Sequence, residues 1–413
     1  MRANSGVRGS SQGLVGSSLA APVLCLAFVA GCLACIPWGA PVGGGFVIPL
    51  AALGLLALGA ARFDRERRWA RVTAWPVVLV LGAFAVSILR CRLPGMAIER
   101  SASMPLYAMA FLAVQVCMWD ARVARALVTV IAAVALVMSV DITVQKLTGT
   151  SLVRQVRLGS ARLAGSQGNP NDLAAATLLV PAGFAALSGA RHAAFAQVLY
   201  AAAVAPAWIL SVSRQAFGAW AASCVGHALS GTRSRRVAWV AVGVLVAAAI
   251  AVAAIPAARA RALDTARRGL GEREVIVAFG AHLAAENLMT GIGPGLFGSY
   301  YGTAALEGWA WRGQELPKVG MPWVHCLPVE VACEYGVVGL AAFGGVAAAS
   351  LRRSWHAARA GEPIGRAALL MLAGFLLIGL VDLTFIKDWV RCEAWVVAGL
   401  AFGSGPGGAE RNA

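Results

Sequence analysis

Four short stretches hold residue types that could do chemistry together. The first runs from Arg162 to Asp172 and ends Asn169-Pro-Asn171-Asp172. It sets a guanidinium and two amides next to turn and helix-cap chemistry. The second is Ser211-Val-Ser213-Arg214-Gln215. Two hydroxyls beside an arginine suit phosphate oxygens, and an arginine at a span end can equally snorkel to the interface. The third is Gly271-Glu-Arg273, followed by Thr290-Gly-Ile-Gly-Pro-Gly-Leu-Phe-Gly298. No strand precedes these glycines and no Gly-Lys-Ser/Thr follows, so they read as a tight turn and not as a nucleotide loop. The fourth is His325-Cys-Leu-Pro-Val-Glu330-Val-Ala-Cys-Glu334-Tyr-Gly336. His325 falls where an apolar run begins, and a neutral imidazole there can take a proton from an attacking hydroxyl. Glu330 and Glu334 are four residues apart and share a helix face. Carboxylates at membrane depth are costly, which marks both, with Asp141, Asp172 and Asp382, as functional or network candidates.

The elements that must position these groups follow from composition. Of 413 residues, 59% are apolar and 13% charged, against about 45–50% and about 25% in globular proteins. Mean hydropathy is +0.72. A soluble enzyme, a disordered chain and a fibrous protein are excluded, and a polytopic membrane protein remains. The formal net charge is +16, which in a membrane protein reflects basic loops and gives no reason to expect nucleic acid. Of 35 basic residues only Lys146, Lys318 and Lys387 are lysine. The nine cysteines lack paired metal-ligand spacing, and Cys32-x-x-Cys35 lies inside an apolar run, so neither a metal site nor a disulfide framework is expected.

Apolar runs lie near 19–38, 42–61, 74–89, 104–119, 126–145, 172–189, 193–211, 215–230, 237–256, 324–350, 366–385 and 389–403. They predict an all-α helical bundle of about twelve transmembrane helices. Residues 1–256 hold the first nine, 257–323 form a loop with amphipathic helices, and 324–413 hold the last three and a C-terminal tail. No soluble domain is inserted and no internal repeat is visible. The densest short basic loop, 62–73, and both termini are placed on the cytoplasmic side. That puts Arg162, Arg214, Arg273 and His325 on the outer face, where the topology rule asks for no arginine but an anionic ligand would. In the long loop, residues 257–270 read as a basic amphipathic helix and 273–288 as a second helix. Trp309, Trp311 and Trp323 serve either as interfacial anchors or as a sugar-stacking surface.

Taken in order, Arg-x2-Gly-x3-Asn-Pro-Asn, Ser-Arg, Gly-Glu-Arg, TGIGPGLF and His-x8-Glu-x-Gly-x-x-Gly-Leu resemble the O-antigen ligase and polymerase superfamily over roughly residues 150–345. The resemblance implies a membrane-integral glycosyltransferase fold of the GT-C-like type in the bacterial inner membrane, with its active site facing the periplasm. It implies transfer of a glycan from undecaprenyl diphosphate to an acceptor, lipid A-core for a ligase, with inversion and without metal or cofactor. It implicates Arg162, Arg214 and Arg273 in holding the diphosphate and His325 in serving the acceptor hydroxyl. Asn169, Asn171, Ser213, Glu330 and Glu334 are candidate supports. Members often carry Asn after the histidine, where this chain has Cys326. The residues agree with that chemistry. Guanidinium forks suit the developing charge of a diphosphate leaving group, and no Asp-x-Asp pair offers itself to a divalent metal. Three acceptors stay open: lipid A-core in lipopolysaccharide biosynthesis, the growing carrier-linked glycan of a polymerase, and protein hydroxyls. A fourth reading, from another class, is a secondary transporter coupled through Asp141, Glu330, Glu334 or Asp382.

Overall fold

The computed structural model describes residues 19–34, 36, 44–62, 72–152, 163, 172–173, 177–211, 213–231, 272–318 and 323–404. Arg162, Asn169, Asn171, the expected helix 257–270 and the expected span 237–256 lie outside the described residues.

The chain is built from helices, as the apolar runs predict. The first six are α1 (Ala20–Ala34), α2 (Gly44–Arg62), α3 (Trp75–Arg90), α4 (Pro94–Ser101), α5 (Met104–Cys117) and α6 (Ala121–Thr148). Asp120 starts α6 by accepting from the backbone of Arg122 and Val123, and Gly149, with φ 79°, ends it in the left-handed region. Among the described residues, the run 172–189 gives helix at 172–173, a 3-10 turn (Thr177–Leu179) and the short α7 (Val180–Ala186). The run 193–211 is divided at Pro206 into α8 (Ala193–Val204) and α9 (Pro206–Ser211), because proline has no N–H to continue the ladder. Then come α10 (Arg214–Gly231), α11 (Glu272–Glu286) and α12 (Phe297–Leu306). A hairpin of β1 (Ala310–Trp311) and β2 (Gln314–Glu315) is the strand structure among the described residues. The last helices are α13 (Leu327–Arg359), α14 (Pro363–Gly379) and α15 (Asp388–Gly403).

Among the described residues, Ala121–Thr148, Ala193–Ser211 and Leu327–Arg359 are long and apolar enough to cross a membrane, and shorter apolar helices accompany them. α5 is buried on nearly every side, with α1, α2 and α15 packed around it. Phe111 on α5 stacks edge-on to Trp395 and Phe402 of α15. These side chains belong to a large apolar core that also includes α6, α13 and α14.

A second, separate core lies at the end of the bundle where α13 begins. Val275, Ile276, Phe279 and Leu283 of α11 pack on Leu296, Phe297 and Tyr301, with Leu316 and Val324 closing the cluster. The described part of the long loop, 272–318, is thus a small folded cap. Tyr301 donates its hydroxyl to the Pro317 carbonyl at 2.7 Å. Burial, with the Glu272 carboxylate adding to it, pushes that phenol above its usual range.

Candidate functional site

The cap docks onto a break in α13. Gly336 has φ 67° and ψ −166°, which interrupts the helix and frees backbone groups on both sides. The segment from Leu288 to Gly293 takes them up. Val337 N–H donates to the Leu288 carbonyl at 2.8 Å, Ile292 N–H to Cys333 at 2.9 Å, and Gly293 N–H to Glu334 at 3.0 Å. A Cβ on Gly336 would stand 2.3 Å from the Met289 carbonyl carbon, and one on Gly291 would stand 2.3 Å from that of Glu334. Glycine is required at both because the two backbones touch there. Irregular backbone in a spanning helix is tolerated only where such partners satisfy it.

Glu334 fastens the same turn from its side chain. One oxygen accepts from Gly295 N–H at 2.8 Å and the other from Phe297 N–H at 3.3 Å. Arg100 on α4 donates to the Gly295 carbonyl at 2.7 Å. Buried Arg391 on α15 reaches the Arg100 carbonyl and Ser103. Glu330, one turn before Glu334, accepts from Phe385 N–H at 2.6 Å and so fixes the loop between α14 and α15. The two glutamates that share a face each tether a different loop.

Two groups meet at Asp382, in the α14–α15 loop. His325 Nδ1 lies 2.8 Å from Asp382 Oδ1. Arg273, in the first turn of α11, sits 3.3 Å from Asp382 Oδ2 and donates to the Val381 carbonyl at 3.1 Å. Histidine, aspartate and arginine thus converge from three segments, with the carboxylate in the middle. A carboxylate only accepts, so in the tautomer whose Nδ1 donates to Asp382 the free nitrogen is Nε2. Trp323 Nε1–H, which only donates, points at the same Nδ1 from 3.0 Å and competes with Asp382 for it: the indole bonds Nδ1 when that nitrogen is unprotonated, and Asp382 does when it is protonated. Nε2 is buried and has no hydrogen-bond partner among the described residues. His325 also has φ 61°, a backbone strain of about 1–3 kcal/mol for a residue other than glycine. It is held between Val324, buried in the cap core, and the start of α13. Non-glycine strain of this kind clusters at functional sites.

Around this triad stands Lys387, 2.6 Å from Asp172 and 4.1 Å above the Trp323 ring. Below it, between α13, α14 and α15, runs a cavity of about 520 Å³. It begins at Leu327, Pro328 and Phe385, beside the site, and continues past Phe343 and Leu376 to Ser350. Ser350 carries its one hydroxyl among the described residues.

The other expected residues fall as follows. Arg214 opens α10, and its side chain lies outside the described residues. Ser213 is buried with its hydroxyl unpartnered among the described residues. Of the acids a transporter would need, Asp141 accepts from Leu152 N–H at 2.7 Å, and Glu330, Glu334 and Asp382 hold the partners given above. Trp309 packs edge-on to Phe279 in the cap, and Trp311 lies under Arg312. Lys387 is the site residue to which motif reading gives no role, and Asp382 is marked there only as a costly carboxylate, without its partners. Their signal was an acid near the end of the apolar run 366–385 and a rare lysine just beyond it, in Val381-Asp-Leu-Thr-Phe-Ile-Lys387.

The chain matches no protein-family model and no curated protein.

Proposed function

We propose that the protein is a membrane glycosyltransferase of the O-antigen ligase type, GT-C-like, with about twelve spans in a bacterial inner membrane and its site on the periplasmic side. It moves a glycan from undecaprenyl diphosphate to a lipid A-core acceptor. The observation that carries this reading is His325 Nε2: buried, unpartnered among the described residues, and the free nitrogen in the tautomer whose Nδ1 donates to Asp382. That arrangement suits removal of a proton from a hydroxyl. The apolar cavity that starts beside it has the character a polyprenyl chain requires.

In this reading the acceptor hydroxyl attacks the anomeric carbon of the donor sugar. The bond from that carbon to the diphosphate oxygen breaks, and the configuration inverts. The hydroxyl proton passes to Nε2, and undecaprenyl diphosphate leaves with the bonding electron pair. Asp382 keeps the imidazole in the productive tautomer and stabilises the imidazolium. Arg273 holds Asp382 and presents a guanidinium at the site, and the sequence resemblance gives Arg162 and Arg214 the same role toward the leaving group. The donor is already activated, so no nucleotide is consumed.

The test is a reconstituted transfer assay with purified protein, undecaprenyl-diphosphate-linked glycan and rough lipopolysaccharide in the presence of EDTA. Glycan on lipopolysaccharide supports the ligase. Lengthened carrier-linked glycan with unmodified lipopolysaccharide shifts the reading to a polymerase. Glycan on added protein substrate shifts it to an oligosaccharyltransferase. No turnover of the carrier with any acceptor ends the transferase reading.

A further inference from the structure

The Asp172–Lys387 pair is the charged feature of this region that the proposed chemistry leaves unused. Asp172 closes the Asn-Pro-Asn-Asp stretch and Lys387 is the cap residue of α15, so the pair joins segments 215 residues apart. Its place is particular. The Lys387 ammonium lies over the Trp323 ring, and the Trp323 indole nitrogen touches the Nδ1 edge of His325. The cation therefore stands one ring away from the imidazole. Asp172 lies within electrostatic reach of both Asp382 and His325.

The two carboxylates of the region are held differently. Asp382 is gripped by His325 and by Arg273. Asp172 has Lys387 as its one partner among the described residues. When an anion arrives, Asp172 is the carboxylate with least to lose by giving way, and the repulsion from Asp382 already works against it. Both side chains are partly exposed, 16% and 15%, so a ligand can reach the pair while water screens it only in part. The residue type fits a change of partner. An ammonium is a compact charge with three donors on a flexible stem, whereas a guanidinium is a rigid fork. The chain has only three lysines among its 35 basic residues, and one of them stands here.

We propose that Lys387 is a further anion-binding residue of this site, that Asp172 is its resting counter-ion, and that a prenyl-linked diphosphate displaces the Asp172 carboxylate from it. The inference rests on the reading of the site as one for a lipid diphosphate. No bond is made or broken in this step. One charge-assisted hydrogen bond is exchanged for another, and the Asp172 carboxylate is released to water.

The experiment is a titration of the purified full-length protein in detergent with farnesyl diphosphate, farnesyl monophosphate and farnesol. It compares wild type with Lys387→Met, Asp172→Asn, the double variant and Lys387→Arg, and follows each variant's thermal unfolding. Lys387→Met is expected to weaken farnesyl diphosphate about tenfold, the worth of one charge-assisted hydrogen bond. Asp172→Asn is expected to tighten it, and Lys387→Arg to stay within about threefold of wild type. The gain from Asp172→Asn should vanish in the double variant, because without the lysine there is no partner to release. Farnesol should be insensitive to every change.

Equal weakening by both single variants would make the pair a plain structural tie and overturn the proposal. So would a gain from Asp172→Asn that persists without Lys387, which is a field effect only. Diphosphate binding in wild type that Lys387→Met leaves unchanged removes Lys387 and leaves the transferase reading standing. Wild type that binds farnesol as well as the diphosphate overturns both.

Discussion

The bundle and the cap are held together by different physics. Around α5 most contacts are apolar side chains distributed over many residues, with Gly399 and Gly403 of α15 letting that helix approach closely. The cap has a small apolar core of its own, but its attachment to α13 rests on backbone hydrogen bonds, two glycine contacts and the Glu334 carboxylate. A distributed interface tolerates change, and a backbone interface does not. The site lies where the two meet. Arg273 comes from the cap, His325 from the join, and Asp382 from the bundle.

The sharpest way to break this comparison is at the glycine contacts. Gly336→Ala or Gly291→Ala forces a Cβ to within 2.3 Å of backbone, and the left-handed backbone alone adds about 1–3 kcal/mol of strain. Either variant is expected to release the cap or fail to fold, as read by limited proteolysis and thermal unfolding in detergent. An unchanged melting temperature would show that the cap does not depend on this contact. Next is Asp382→Asn, which keeps the shape but lets the amide hold the wrong tautomer. Transfer should fall by about 10²–10⁴-fold, while the fold persists because only one loop is touched. A third change sharpens the role of the clasp. Glu334→Gln leaves one oxygen to accept where two did, and should cost about 1–3 kcal/mol of stability. The smallest effect belongs to the bundle. A Cβ on Gly82 of α3 meets nothing within 4 Å, so Gly82→Ala should change stability by no more than about 0.5–1 kcal/mol, in the stabilising direction.

The difference between the regions also explains what could be read from the sequence. Apolar runs announce helices because every spanning residue must satisfy its backbone locally, so α3, α5, α6 and α14 fall close to where the runs put them. Run length does not record helix breaks. Among the described residues the run 172–189 gives helix at 172–173, a 3-10 turn and the short α7, and α13 continues to Arg359, past the expected end at 350, with its ladder interrupted at Gly336. His325 and Arg273 stood out by residue type and position at the edge of apolar sequence. Asp382 was marked as a costly carboxylate, but its pairing with them was not legible, because it lies 57 and 109 residues away and only the fold brings it near. Glu330 and Glu334 were visible as costly carboxylates. That each would grip a loop backbone, at Phe385 and at Gly295, has no trace in local sequence.

The most direct measurement is the rate at which purified full-length protein releases undecaprenyl diphosphate from carrier-linked glycan with acceptor present. Wild type is compared with His325→Ala and with Glu307→Gln, an exposed position in the cap away from the triad. The account expects His325→Ala to lose at least about 100-fold in rate with its melting temperature close to wild type, and Glu307→Gln to behave as wild type. A His325→Ala protein that releases the carrier at the wild-type rate would contradict the assignment of His325 Nε2 as the base, and with it the central claim.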